Sequence, residues 1–146
     1  MSFLPENLDD VQEPKAAPAG NYLLQVTACE PRKSGENSKH PGAPMFMVTL
    51  GFVEEPNVPT IRHFISLPYE DDENAAFKLL MLKRFLTLFN VPYTSDEEQL
   101  RFSILGAQAN VAVGLSEPNE NGDVYNNIQI PKMRNEPASG GRRRGR

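Results

Sequence analysis

The chain has 146 residues, 39% of them apolar, with thirteen prolines, ten glycines and a net charge of −4; this describes one domain with a modest core and many turns. No apolar run approaches the roughly 18 residues needed to span a bilayer, and the N-terminus lacks the basic-then-apolar pattern of a signal peptide, so a cytoplasmic protein without a membrane partner is expected. A single cysteine, Cys29, excludes an internal disulfide and a cysteine-rich zinc site, and two histidines, His40 and His63, are too few for most histidine-based metal sites, so no metal or other cofactor is expected.

Residues 1–19 carry Pro5, Pro14, Pro18 and a run of acids without sustained period, and read as a flexible arm. From Asn21 to Cys29 the chain alternates, with Tyr22, Leu24, Val26 and Ala28 on one side, which predicts a first strand closed by Pro31. Residues 31–44 are a loop with three prolines, two glycines and the cations Arg32, Lys33 and Lys39. A second strand, Met45 to Val53, places Phe46, Val48, Leu50 and Phe52 on one face. A third, Thr60 to Leu67, places Ile61, His63, Ile65 and Leu67 opposite Arg62, Phe64 and Ser66.

The period then becomes helical. Asn74 is a candidate cap, and Phe77, Met81, Leu82, Phe85, Leu88 and Phe89 predict one helix ending near Phe89, stopped by Asn90 and Pro92. Ser95 to Glu98 resembles a capping box and predicts one short turn. Two strands follow, Gln108 to Gly114 and Val124 to Ile130, joined by a turn-rich loop holding Pro118, Asn119, Asn121 and Gly122. The chain divides into an arm (1–19), a β-rich domain (20–131) and a polar Gly/Arg-rich tail (132–146) with nothing to bury, expected to be disordered.

The predicted order is β-β-β-α-β-β, all-β with one helix. It is the order of an OB-fold, a five-stranded, partly open Greek-key barrel that binds oligonucleotides or oligosaccharides. Small sandwiches with one helix share this order.

No catalytic constellation stands out: there is no phosphate-cradling Gly-rich loop, no His-Glu-x-x-His and no Gly-x-Ser-x-Gly. Cys29 with His40 or His63 could form a nucleophile–base pair only by meeting in space; a small residue at the end of a strand usually just packs, and His63 has the inward parity of a core or rim histidine. The acidic runs Glu70 to Glu73 and Asp96 to Glu98 precede helical patterns, where capping and solvation explain them better than a divalent metal.

The third strand is more informative. Arg62 and Phe64 share a face, with Met45 and Met47 on the outward parity of the second strand and Tyr125 on that of the fifth. A cation beside an aromatic ring suits single-stranded nucleic acid, whose phosphates meet the charge and whose bases stack on the ring. The competing reading is that the helix or a partner chain covers this face. The tail is the plainest polyanion signal. From Lys132 onward six Lys/Arg face one acid, a charge of +5, whereas residues 1–131 carry −9. The phosphate contacts expected are Arg32, Lys33, Lys39, Arg62, Lys132, Arg134, Arg142, Arg143, Arg144 and Arg146; the bases are expected on Phe64 and Tyr125.

Five short stretches resemble one known family. They are Pro18-Ala19-Gly20-Asn21-Tyr22, Glu30 followed by Lys33-Ser34-Gly35, Leu88-Phe89-Asn90-Val91, Leu105-Gly106-Ala107, and Tyr125-Asn126-Asn127-Ile128. Over about residues 17–131 the chain is similar to phage replication-region proteins, long catalogued as a domain of unknown function and regarded as single-stranded-DNA-binding proteins. The resemblance implies an OB-like fold and sequence-independent coating of single-stranded DNA (or RNA) during phage replication or recombination, as a monomer or homodimer in the host cytoplasm, beside phage replication or recombination proteins. One departure is that many single-stranded-DNA-binding proteins end in an acidic, partner-recruiting tail, and this chain ends in arginines. The alternative expectation is a protein-interaction or structural accessory module of a replication or virion assembly. Neither reading requires an enzyme.

Overall fold

Alternating apolar residues build five strands and two apolar stripes build two helices in the computed structural model, which describes residues 3–12, 15–35 and 41–132. In chain order they are β1 (Gly20–Lys33), β2 (Pro44–Phe52), β3 (Ile61–Ser66), α1 (Ala75–Phe89), α2 (Glu97–Ile104), β4 (Gln108–Leu115) and β5 (Asn126–Gln129). The strands form one antiparallel sheet in the order β3-β2-β1-β4-β5. Its two edges, β3 and β5, come into contact, so the sheet is a nearly closed barrel. α1 packs on β3 and β4, α2 packs on β1, and their buried residues join the strand interiors in one core.

β2 follows its alternation without a break: Phe46, Val48, Leu50 and Phe52 are all buried. β1 does not. A β-bulge between Val26 and Ala28 adds one residue, so the inward parity passes from Leu24 and Val26 to Cys29 instead of the expected Ala28. The bulge falls where β1 changes partners. Gly20 to Gln25 pair with β4, and Val26 then exchanges hydrogen bonds with Gly106 and Ala107 ahead of β4. Extra twist at such a point lets one long strand serve both halves of a barrel. The strand also runs on through Pro31 to Lys33, beyond the expected stop. Pro31 is tolerated because this half of β1 pairs only with β2, leaving the other edge without a ladder to interrupt.

The expectation of one helix, and of the order β-β-β-α-β-β, is corrected to two helices and β-β-β-α-α-β-β. α2 has eight residues and gives only Leu100 and Ile104 to the core, too few for its period to stand out. Asp96 caps it by accepting the Gln99 N–H at 3.1 Å, and Glu97 and Glu98 in the first turn favour the positive end of its dipole. α1 ends where expected, with Asn90 left-handed at φ 55° and the Val91 N–H donating to the Leu86 carbonyl. Its start differs from expectation, because the Asn74 side chain makes no cap. The Asp72 carboxylate instead accepts the Asn74 N–H and the Lys78 ammonium. Burial opposes ionisation of Asp72, but these hydrogen bonds outweigh it and hold its pKa below the ordinary range. The stripe α1 buries is Leu82, Phe85, Leu86 and Phe89; Phe77, expected on that stripe, is 62% exposed.

The residues just ahead of β1 are tied to the barrel. Asn126 at the start of β5 accepts the Ala17 N–H at 2.8 Å, donates to the Ala17 carbonyl at 2.8 Å and donates to the Gly114 carbonyl at 3.1 Å.

Candidate nucleic-acid interface

In an antiparallel sheet, directly opposed residues share a face. The registers of β1, β2 and β3 therefore lay out the outer surface in three rows: Arg32–Met45–Ser66, Glu30–Met47–Phe64 and Ala28–Thr49–Arg62. Neighbours along a row lie about 4.8 Å apart, and rows about 7 Å apart. Phe64 is 54% exposed and Arg62 is exposed, while Met45, Met47 and Thr49 between the outer strands are half-buried. The helices do not bury Arg62 or Phe64, although α1 stands beside Phe64 and Ser66 across an open cleft.

The charges on the face are mixed. Arg32 bonds Glu30 at 3.2 Å, with both side chains about half exposed. Such a pair is worth little in water and yields readily to another anion. Among the described residues Arg62 has no ion-pair partner. Lys33 lies at the end of β1 opposite Pro44, and Arg32, Lys33 and Met45 line a shallow pocket of about 470 Å³.

At the barrel seam Arg62 and Tyr125 face one cavity. Both line a pocket of about 600 Å³ between β3 and the start of β5, walled by Ala16, Pro59, Thr60 and Asn126. Tyr125 was expected within the last strand; it stands just ahead of β5, 58% exposed, because the strand is shortened to Asn126–Gln129. Its backbone is held by Ser116, whose Oγ accepts the Tyr125 N–H at 2.8 Å and whose N–H donates to the Tyr125 carbonyl at 2.8 Å. Asn119 organises the loop between β4 and β5. Its Oδ1 accepts the Asn121 and Asp123 N–H groups, and its Nδ2 donates to the Tyr125 hydroxyl at 3.4 Å. The ring is thus presented by a hydrogen-bonded loop, separated from Arg62 in sequence by α1, α2 and β4.

Lys132 is exposed beyond β5. Lys39, Arg134, Arg142, Arg143, Arg144 and Arg146 lie outside the described residues. The sequence gives no hint of Phe77 as a surface ring, or of Ala16 and Pro59 as walls, because nothing in local spacing reveals which stripes other elements will cover.

Cys29 and His63 occupy the interior. They fall in one inward row, Cys29–Val48–His63, with Val48 between them, so they do not meet as a nucleophile and base. Burial pushes the Cys29 thiol up to about 11 against the opposing charge of Arg101, which leaves it protonated at neutral pH. His63 stacks on Phe85 with ring centroids 5.6 Å apart, and burial lowers its pKa. Among the described residues no group of His, Cys, Asp and Glu is arranged to hold a metal ion, and no helix is long and apolar enough to cross a membrane.

The stretches that carry the family resemblance fall at joints of the fold. Tyr22 donates to the Pro18 carbonyl; Ser34 closes the β1–β2 loop by accepting the Ala43 N–H; Gly106, at φ 88°, donates to the Val26 carbonyl at the bulge; and Asn126 clamps Ala17. No protein-family model matches the chain, and no curated protein is significantly similar to it.

Proposed function

We propose that this chain is an OB-like barrel that binds single-stranded DNA without sequence preference, in phage DNA replication or recombination. One observation carries the reading: Arg62 and Phe64 stand together on an uncovered sheet face, and Arg62 also shares the seam pocket with Tyr125. A cation flanked by two exposed rings provides a phosphate contact between two stacking platforms. The strand order, with β3 closing toward β5, is also compatible with an OB-fold. The body is acidic, so attraction has to be local to this face and to the tail.

The test is fluorescence anisotropy with oligo-dT at low salt. The wild-type chain binds, and log affinity falls linearly with log salt, by about 0.7 for each phosphate contacted. Phe64→Ala weakens binding roughly tenfold, the loss of one stacked base. Absence of wild-type binding at low salt refutes the proposal.

A second reading, a protein-interaction module of a replication or virion assembly, is favoured by α1. Its outer side leaves Leu79, Leu80 and, beyond the helix, Tyr93 exposed beside an apolar groove. Deleting residues 135–146 separates the two readings: a truncated chain that loses all DNA affinity favours the second.

A further inference from the structure

Phe77 is a large apolar ring left in solvent on a helix whose remaining aromatic residues are buried. It is not isolated. Phe77 and Phe64, one on α1 and the other on β3, line the same open cleft of about 500 Å³, together with Met81 and the polar residues Ser66 and Asn74. That volume lies in the range of small-ligand sites.

The cations of α1 differ in their availability. Lys78 also lines the cleft, but its ammonium is bound to the Asp72 carboxylate and sits over the Tyr69 ring. Arg84 is uncommitted. Phe77, Met81 and Arg84 follow one another at i, i+4 and i+7, on one side of the helix. Arg84 Nη1 lies 3.5 Å from Met81 Sδ, a weak acceptor, and its Nε is buried without a hydrogen-bond partner among the described residues. Neither ion pair among the described residues involves Arg84. Arg84 does not itself line the cleft but touches Met81, which does, so a guanidinium without an anion stands one side chain behind it, the vacant half of a charge-assisted pair.

We infer that the cleft between β3 and α1 is a nucleotide subsite, in which a base enters between Phe64 and Phe77 and its phosphate meets Arg84. This rests on the proposed single-stranded-DNA binding and extends its path. Phe64 belongs both to the outer face and to the cleft, so a strand crossing the face past Arg62 reaches Phe77 next. An aliphatic side chain in the cleft would leave Arg84 unpaired, whereas a nucleotide supplies both the flat π-face and the anion. Ser66 and Asn74 offer hydrogen bonds to a base edge without demanding one base.

The experiment uses the full chain with oligo-dT, followed by anisotropy, and with an oligonucleotide carrying the fluorescent base 2-aminopurine. Phe77→Ala weakens binding roughly tenfold and abolishes the quenching of 2-aminopurine, and Phe77→Tyr, which keeps a ring, restores both. Arg84→Gln lowers the salt slope by about 0.7, one phosphate on a single strand. Leu79→Ala, on the other side of α1, binds like the wild type. Phe77 is exposed, so its substitution leaves the fold intact even if Arg84→Gln does not. If wild type binds and Phe77→Ala binds and quenches equally well, the subsite is wrong and the DNA-binding reading stands. If wild type does not bind, both fall.

Discussion

Replacing Asn126 by alanine tests how the barrel is fastened at its seam. The amide makes three hydrogen bonds, two of them a reciprocal pair with the backbone of Ala17, which is 3% exposed, and the third to Gly114. Each is worth roughly 0.5–1.5 kcal/mol net, and their loss strands a buried N–H and carbonyl unless water reaches them. The expected cost is about 2–3 kcal/mol, which for a domain of this size lowers Tm by roughly 10 °C. Urea denaturation followed by circular dichroism measures it, and amide exchange at Ala17 locates it. Asn126→Asp keeps the acceptor for the Ala17 N–H but places a carboxylate against two carbonyl oxygens, so it is at least as costly. Because Ala16 and Asn126 also wall the Arg62–Tyr125 pocket, both variants weaken oligo-dT binding. A loss of stability below about 0.5 kcal/mol, with Ala17 exchange unchanged, refutes the clamp.

Three further outcomes follow from the same geometry. Cys29, buried and with its thiol pushed up to about 11, resists alkylation by iodoacetamide in the native protein near neutral pH and reacts promptly in urea; rapid native labelling contradicts its burial. Burial lowers the folded-state pKa of His63, so as pH falls through about 6.5 the unfolded chain takes the proton first and folding stability declines. Urea midpoints at about pH 7.5 and 5.5 read this, and His63→Phe, which keeps the stack on Phe85, removes that part of the decline. Phe64→Ala, at an exposed site, changes stability by less than about 0.5 kcal/mol while weakening DNA binding, so a large drop in Tm shows that Phe64 is core.

By itself the amino-acid sequence determined what depends on near neighbours. The alternation of Phe46, Val48, Leu50 and Phe52 marks which side of β2 faces inward; Ile61 and Ile65 do the same for β3 and so turn Arg62 and Phe64 outward; Asn90 and Pro92 end α1. Tertiary structure decided the rest. The bulge after Val26 moves the core position from Ala28 to Cys29, because it answers a change of partner strand that no local period records. Phe77 and Phe85 look alike as apolar helix positions; only what packs against α1 buries one and leaves the other beside Phe64. Ala17 and Asn126, 109 residues apart, meet because the sheet curls until β5 reaches β3, with the residues ahead of β1 at that seam, and the same curl puts Tyr125 and Arg62 on one pocket. Periodicity reports which side of an element is apolar, whereas a site assembled across a closing barrel depends on which sides the other elements leave uncovered.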